Sequence, residues 1–186
     1  MSKCREAIIR AAATSDVESI ARIHTEVWRE SYRVLLPAEL ITAQTYDRRL
    51  NFRQQSLGDK NTVMNTFVAC RERRIIEFID VGPARDKDVG FEGECYALYV
   101  LSTTQRKGVG RILFSAGLES LIGSGRSSSY VWVLKNNLPA CEFYAAMGGV
   151  EGQQRSQRRG TFEIQETAYG WKFISDTLFF LKRSEG

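Results

Sequence analysis

The stretch Gln105-Arg106-Lys107-Gly108-Val109-Gly110-Arg111 combines two glycines with three basic side chains. It follows a strongly apolar segment and precedes an amphipathic one, which predicts a turn between a strand and a helix. Glycines allow a tight turn and a close approach of the backbone to a ligand. The free N–H groups at a helix start, together with the helix dipole, bind phosphate oxygens. The stretch therefore predicts a pyrophosphate site; the alternative is a turn that only packs the helix on the strand.

Several other chemistries are excluded. The P-loop pattern G-x-x-x-x-G-K-[ST] is absent, and Leu113 stands where a Rossmann motif needs a third small residue. His24 is the only histidine, and no two cysteines have C-x-x-C spacing. These facts exclude a histidine-based catalytic triad and a Cys/His zinc site, so no metal site is predicted.

Composition indicates one globular domain over residues 1–186. The chain is 43% hydrophobic and 26% charged, and it has no linker-like segment. The net charge of +4 is small and the basic residues are scattered along the chain. This pattern is not typical of a nucleic-acid-binding protein. No apolar run approaches the roughly 20 residues of a membrane span. Cysteines without a disulfide framework favour a cytoplasmic protein, and neither nucleic acid nor membrane is expected as a partner.

Hydrophobic periodicity predicts an α/β (α+β) chain with a mixed sheet. Strands are predicted at 7–13, 61–71, 74–81, 94–101, 127–134, 150–155 and 162–168. The first helix is predicted to start at a capping box, Ser15-x-x-Glu18. Further helices are predicted at 37–56, with a break near Thr42, and at 108–122, 137–147 and 175–181. The segment 94–101 is apolar on both faces, which places it in the centre of the sheet.

Three motifs, in this order and spacing, resemble those of the GCN5-related N-acetyltransferase (GNAT) family. They are the strand Glu94–Val100, the turn Gln105-x-x-Gly108-x-Gly110, and the strand 131–134 followed by Asn137-x-x-Ala140-x-x-Phe143-Tyr144. The resemblance covers residues 7–172 and is strongest over 94–149. It implies a GNAT fold, with a mixed, mostly antiparallel sheet of about seven strands flanked by helices. It also implies acetyl-CoA as the cosubstrate.

The resemblance implies which residues bind acetyl-CoA. They are Leu98, Tyr99, Val100, Gln105, Arg106, Lys107, Gly108, Val109, Gly110, Arg111 and Asn137. An asparagine at a helix start is also a good N-cap, and the two roles of Asn137 are compatible. One departure lies at Glu77, where the family often has a glycine on the strand beside the central one.

The resemblance further implies direct acetyl transfer to a primary amine in a ternary complex. The amine, with a pKa of about 10, must first lose a proton. Glu94 occupies the position of the general base in some members of the family; the alternative is a structural glutamate that holds a backbone group or an arginine. Tyr144 matches the tyrosine that protonates the leaving thiolate, and the alternative is a half-buried core tyrosine. Because a phenol is a weaker acid than a thiol by about 2 kcal/mol, Tyr144 is expected to assist and orient.

The acceptor is expected to be a small-molecule amine or a peptide amine, with Trp28 and Tyr32 as candidates to line its site. His24 shares the apolar face of their helix; it is either a ligand or base, or a half-buried structural histidine, and the second interpretation is favoured. The alternative function is an acetyl-CoA-binding regulatory module without turnover. The expected assembly is a monomer or a homodimer.

Overall fold

The computed structural model describes residues 7–59 and 61–183. The helices are α1 (Val17–Tyr32), α2 (Ala38–Thr42), α3 (Tyr46–Gly58), α4 (Val109–Gly123), α5 (Leu138–Ala146) and α6 (Ile174–Arg183). The strands are β1 (Ile8–Ala11), β2 (Asn65–Arg71), β3 (Arg74–Pro83), β4 (Gly93–Val100), β5 (Ser129–Leu134), β6 (Val150–Arg159) and β7 (Phe162–Trp171). The predicted order of elements is confirmed, including the break after Thr42.

The strands form a seven-stranded sheet in the order β1-β2-β3-β4-β5-β7-β6, with β4 in the middle. β4 pairs with β5 in parallel, whereas the β1–β2, β5–β7 and β6–β7 pairs are antiparallel. The predicted mixed, mostly antiparallel sheet is therefore confirmed, and so is the central place of β4.

The chain forms two compact units. The first comprises the described residues of Met1–Asp80 together with Ala97–Ala116, and the second comprises Val81–Tyr96 and the described residues of Gly117–Gly186. β3 and β4 each contribute residues to both units. The single domain over 1–186 stays a prediction.

The core of the first unit is a cluster of side chains from α1, β2 and β3. Ile20, Ile23 and Val27, at helical spacing on α1, pack with Val68 and Phe78. This is the apolar face that the periodicity of α1 predicts. It fixes α1 against the strands.

The start of α1 differs from its prediction. The chain first makes a 3-10 turn at Thr14–Asp16, which delays α1 to Val17. The Asp16 carboxylate accepts the Ala13 N–H at 2.8 Å and binds Arg10 through two bonds of 2.6 and 2.9 Å. The capping box predicted from Ser15 is therefore wrong, because a charged side chain beside it, paired with Arg10, takes the capping role.

In the second unit, the packing of α5 against β7 explains an unusual glycine. A Cβ at Gly149 would lie 2.7 Å from the Trp171 ring, and the indole N–H of Trp171 donates to the Met147 carbonyl at 2.9 Å. Gly149 thus leaves room for Trp171, which closes the end of α5 against β7.

β6 and β7 run longer than predicted, to Arg159 and Trp171. Most residues of β6 are exposed, so no apolar alternation marks its extent. Arg155 lies within β6, where it donates to Glu166 at 2.7 Å and sits 4.0 Å from the centre of the Trp132 ring.

Candidate functional site

The predicted pyrophosphate turn lies in the first unit and has a distinctive backbone. It opens with a 3-10 turn, Ser102–Thr104, in which the Thr104 hydroxyl donates to the Leu101 carbonyl at 2.9 Å. Arg106 and Gly108 then adopt left-handed conformations, with φ of 60° and 78°. Glycine enters this region freely, but an arginine there costs free energy, and such strain concentrates at functional sites. The backbone favours ligand binding over packing alone.

The start of α4 offers unused hydrogen-bond donors. Val109 is buried and anchors the helix, whereas residues 105–108 are exposed. Within the described part of the chain, no backbone carbonyl accepts the N–H groups of residues 107–110. The Lys107 ammonium donates to the Thr103 carbonyl at 2.7 Å, which keeps its charge beside the turn. Donors, dipole and charge together can bind phosphate oxygens.

The three β4 residues predicted to contact the cofactor, Leu98, Tyr99 and Val100, are half-buried. The Tyr99 ring packs 4.4 Å from His24 and 5.3 Å from Phe78, measured between ring centres. Burial raises the pKa of Tyr99 well above its ordinary value. The side chain of Tyr99 therefore belongs to the core, and only its main chain is suited to bind a cofactor.

His24 is buried, not half-buried as predicted. Burial lowers its pKa well below the usual value, and the charges of Arg49 and Arg53 lower it further. A neutral ring packed against Tyr99 and Phe78 agrees with the structural interpretation of this residue.

Glu94 lies in the second unit, near the start of β4, and its carboxylate is buried. One oxygen accepts the main-chain N–H and the Nε of Arg85, both at 3.0 Å, and the Tyr130 hydroxyl at 2.9 Å. The other accepts Nη2 of Arg85. Arg85 also lies 4.2 Å from the centre of the Tyr96 ring, so Glu94 and Tyr96 share a face of β4. This arrangement matches the structural alternative for Glu94, because the carboxylate holds both a backbone N–H and the side chain of Arg85.

α5 carries the other predicted catalytic residue. The Tyr144 side chain is buried, and its ring lies 6.1 Å from Trp171 and 6.4 Å from Tyr169, between centres. The Asn137 side chain accepts the Ala140 N–H at 3.4 Å, which confirms Asn137 as the N-cap of α5. The cofactor contact of Asn137 and the proton donation by Tyr144 stay predictions.

Cysteine chemistry is not favoured by the structure. Cys95 is buried, whereas Cys141 is half-buried and directs its sulfur to the Leu134 carbonyl at 3.8 Å. Burial raises the pKa of the Cys141 thiol, which disfavours the nucleophilic thiolate.

In the first unit, the predicted acceptor residues Trp28 and Tyr32 stack with ring centres 4.4 Å apart. The structure adds Arg49 of α3, whose guanidinium lies 5.3 Å from the centre of the Trp28 ring. It also adds an ion pair of Arg53 with Asp80. Asp80 lies inside the largely apolar strand 74–83, and this position indicates an ion pair in the sequence, because a buried charge needs a partner. Nothing in the sequence pattern singled out Arg49.

Glu77 is a second buried carboxyl in the first unit. Neither of its carboxyl oxygens meets the geometry of a hydrogen bond with any donor among the described residues. Burial raises the pKa of Glu77 to about 7, against smaller opposing effects of the Thr104 hydroxyl and the Arg71 charge. This departure from the family pattern therefore places a carboxyl that titrates near neutral pH beside the start of the turn.

Two absences hold for residues 7–59 and 61–183. No helix there is long and apolar enough to cross a membrane. In the same ranges, no group of three or more His, Cys, Asp or Glu side chains is arranged to hold a metal ion.

Comparisons with known proteins agree on one family. The sequence model described as the acetyltransferase (GNAT) family matches residues 18–148. The uncharacterised N-acetyltransferase YuaI of Bacillus subtilis (strain 168) is 30% identical over 177 residues, which cover 94% of this chain and 98% of that protein.

Solved structures share the fold. An N-acetyltransferase from Staphylococcus aureus Mu50 superposes with a TM-score of 0.71 at 15% identity, over 91% of this chain and 99% of that one. The structure of yncA from Salmonella typhimurium, solved with its cofactor acetyl-CoA, gives a TM-score of 0.67 at 16% identity, over 90% and 94% of the two chains. The expected fold is therefore confirmed.

Proposed function

Because this chain belongs to the acetyltransferase (GNAT) family, we propose that it transfers an acetyl group from acetyl-CoA to a primary amine by direct attack in a ternary complex. The observation that carries the proposal is the turn before α4, with left-handed Arg106 and Gly108 and donor N–H groups at 107–110. The acetyl-CoA in the yncA structure supports the choice of cosubstrate.

The turn is proposed to bind the pyrophosphate of the cosubstrate. The backbone N–H groups of residues 107–110 donate to its oxygens, and Arg106, Lys107 and Arg111 supply positive charge. Leu98, Tyr99 and Val100 are proposed to contribute main-chain groups, and the cosubstrate contact of Asn137 stays a prediction.

The transfer requires two proton movements. The amine loses a proton, its nitrogen attacks the thioester carbon, the C–S bond breaks, and the thiolate gains a proton. Tyr144 is proposed to donate that last proton or to orient the water that does. Glu94 as the base stays a prediction, and in this role its carboxylate has to give up donors from Arg85 and Tyr130 as it takes the proton.

Thermal unfolding with and without acetyl-CoA tests the cofactor site. A ligand at 100 times its dissociation constant stabilises the native state by about 2.7 kcal/mol, which raises the Tm of a chain of this size by about 5–10 °C. Gly110→Asp should abolish the shift, because it places a negative charge against the phosphates.

The matched control is Gly123→Asp, at the other end of α4, where a side chain meets no atom within 4 Å. It should keep the shift. An equal shift in both variants would remove the pyrophosphate assignment from the turn.

Release of free thiol from acetyl-CoA, followed over a panel of amines, tests turnover. The alternative, a regulatory module that only binds acetyl-CoA, requires a thermal shift with no thiol release for any amine. The proposed partner is a small-molecule or peptide amine. The monomeric or homodimeric assembly and the cytoplasmic location stay predictions.

A further inference from the structure

Two arginines one turn apart on α3 differ in how their charges are balanced. Arg53 is buried and donates to both oxygens of Asp80 at 2.8 and 2.6 Å, and the Thr66 hydroxyl donates to the same carboxylate at 2.7 Å. Arg49, four residues earlier, is half-buried, and no carboxylate among the described residues pairs with it. The inner charge is neutralised, whereas the outer charge is not.

The surroundings of Arg49 hold two unused donors. Its Nε and the indole nitrogen of Trp28 are both buried without a hydrogen-bond partner in the described part of the chain. The two groups are neighbours, since the guanidinium lies 5.3 Å from the centre of the Trp28 ring, and the Tyr32 ring stacks on Trp28 with centres 4.4 Å apart. A buried donor without an acceptor costs about 1–3 kcal/mol. Both donors would be satisfied by one group that carries acceptor oxygens.

The local charge selects an anion for that group. Burial lowers the pKa of Arg49, the Tyr99 hydroxyl raises it, and the charges of Arg53 and Arg48 lower it again. A guanidinium stays protonated at neutral pH even so. His24 nearby is neutral for the reasons given above. The site is therefore cationic, aromatic and free of a balancing carboxylate within the described residues.

We propose that Arg49 and Trp28 bind a carboxylate of the acceptor, so that the enzyme acetylates amines that also carry a carboxylate. The proposal rests on the function proposed above and names its substrate class. A guanidinium binds a carboxylate through two parallel hydrogen bonds, and the Trp28 and Tyr32 rings provide an apolar surface for the body of the acceptor. A polyamine is disfavoured, because its second ammonium would meet the Arg49 charge.

Two acceptors that differ only in the carboxylate test the proposal, namely phenylalanine and phenethylamine. Wild-type kcat/KM, measured by thiol release, should be higher for phenylalanine. Arg49→Gln should raise the KM for phenylalanine by about 10–100-fold, the effect of one lost charge-assisted interaction. It should change the KM for phenethylamine by less than about fivefold, the size of an exposed-charge effect.

Arg48 offers a matched control on the same helix, since its side chain is exposed. Arg48→Gln removes the same charge and should leave both KM values within about fivefold. Arg49→Lys keeps the charge but not the two-bond geometry, and it should recover part of the phenylalanine binding. Equal loss for both acceptors in Arg49→Gln, or a wild-type preference for phenethylamine, would overturn the proposal.

A third acceptor separates two sources of the carboxylate. In aspartyl-phenylalaninamide the only carboxylate belongs to a peptide side chain. If Arg49→Gln raises its KM as much as that of phenylalanine, the site accepts acidic peptides; if only phenylalanine responds, it selects free amino acids. Both results support the carboxylate site.

Calorimetry distinguishes failure of this inference from failure of the proposed function. 3-Phenylpropionate has the carboxylate but no amine, so its binding needs no acetyl transfer. Binding that Arg49→Gln weakens by about tenfold or more, without thiol release for any amine, would support the carboxylate site and refute the enzyme. Thiol release without any binding of 3-phenylpropionate, and without a phenylalanine preference, would support the proposed enzyme and refute the carboxylate site.

Discussion

Glu77 should make the stability of this protein depend on pH, in a direction opposite to that of most carboxylates. Burial raises its pKa to about 7 from an ordinary 4.5, so the folded state favours the neutral form. The contribution of Glu77 to stability is complete below pH 4.5, where both states are protonated. It is lost as the pH rises to about 7, because the unfolded chain ionises this group first.

The difference between the two pKa values corresponds to about 3 kcal/mol of unfolding free energy between low pH and pH 8.5. Glu77→Gln keeps the shape of the side chain but cannot ionise. The variant should therefore match wild type within about 1 kcal/mol near pH 5 and exceed it by about 3 kcal/mol at pH 8.5. In Tm, that excess amounts to about 6–12 °C for a chain of this length.

Urea unfolding at a series of pH values, followed by circular dichroism, measures this difference directly. The control is Glu26→Gln, at an exposed position of α1, whose stability should run parallel to that of wild type. Parallel profiles for Glu77→Gln and wild type across pH 5–8.5 would show that Glu77 does not titrate with a raised pKa in the folded state.

Two further variants test the chemistry. Tyr144→Phe should keep acetyl-CoA affinity within a few-fold and reduce thiol release by about 10–1,000-fold, and equal turnover would return Tyr144 to a packing role between Tyr169 and Trp171. If Glu94 is the base, Glu94→Gln should lose most rate at neutral pH and recover part of it near pH 9–10, where about a tenth or more of the amine is neutral. A uniform loss at every pH would instead assign Glu94 to holding Arg85.

The elements that the sequence predicted well are those whose burial is one-sided or complete. α1 shows its apolar face at helical spacing, and β4 carries apolar residues on both faces after Glu94, so the sequence predicts both. The predicted β6 is too short because its exposed residues carry no apolar alternation. Its extent is set by pairing with β7. The predicted start of α1 is wrong because Asp16 is held by Arg10, a contact that local spacing does not encode.

The candidate site divides in the same way. The turn at 105–111 is contiguous in sequence, so its glycines and charges could be read together. The groups that change the interpretation are pairs formed through space. Arg85 meets Glu94 from a loop, and Arg53 meets Asp80 across 27 positions of the chain. Residue types alone could not show that the Glu94 carboxylate is paired with Arg85 while the Arg49 guanidinium has no carboxylate partner among the described residues.

β3 shows why these charged groups matter together. Asp80 and Glu77 are both buried on one strand, three residues apart, and so project to opposite faces of the sheet. Asp80 is balanced by Arg53, which leaves the positive charge of Arg49 on that side available to a ligand. Glu77 has no such partner among the described residues and avoids the cost of a buried charge by staying protonated below about pH 7. A fold retains an unbalanced arginine or carboxyl in such places mainly where function requires it, which makes Arg49 and Glu77 the first residues to substitute.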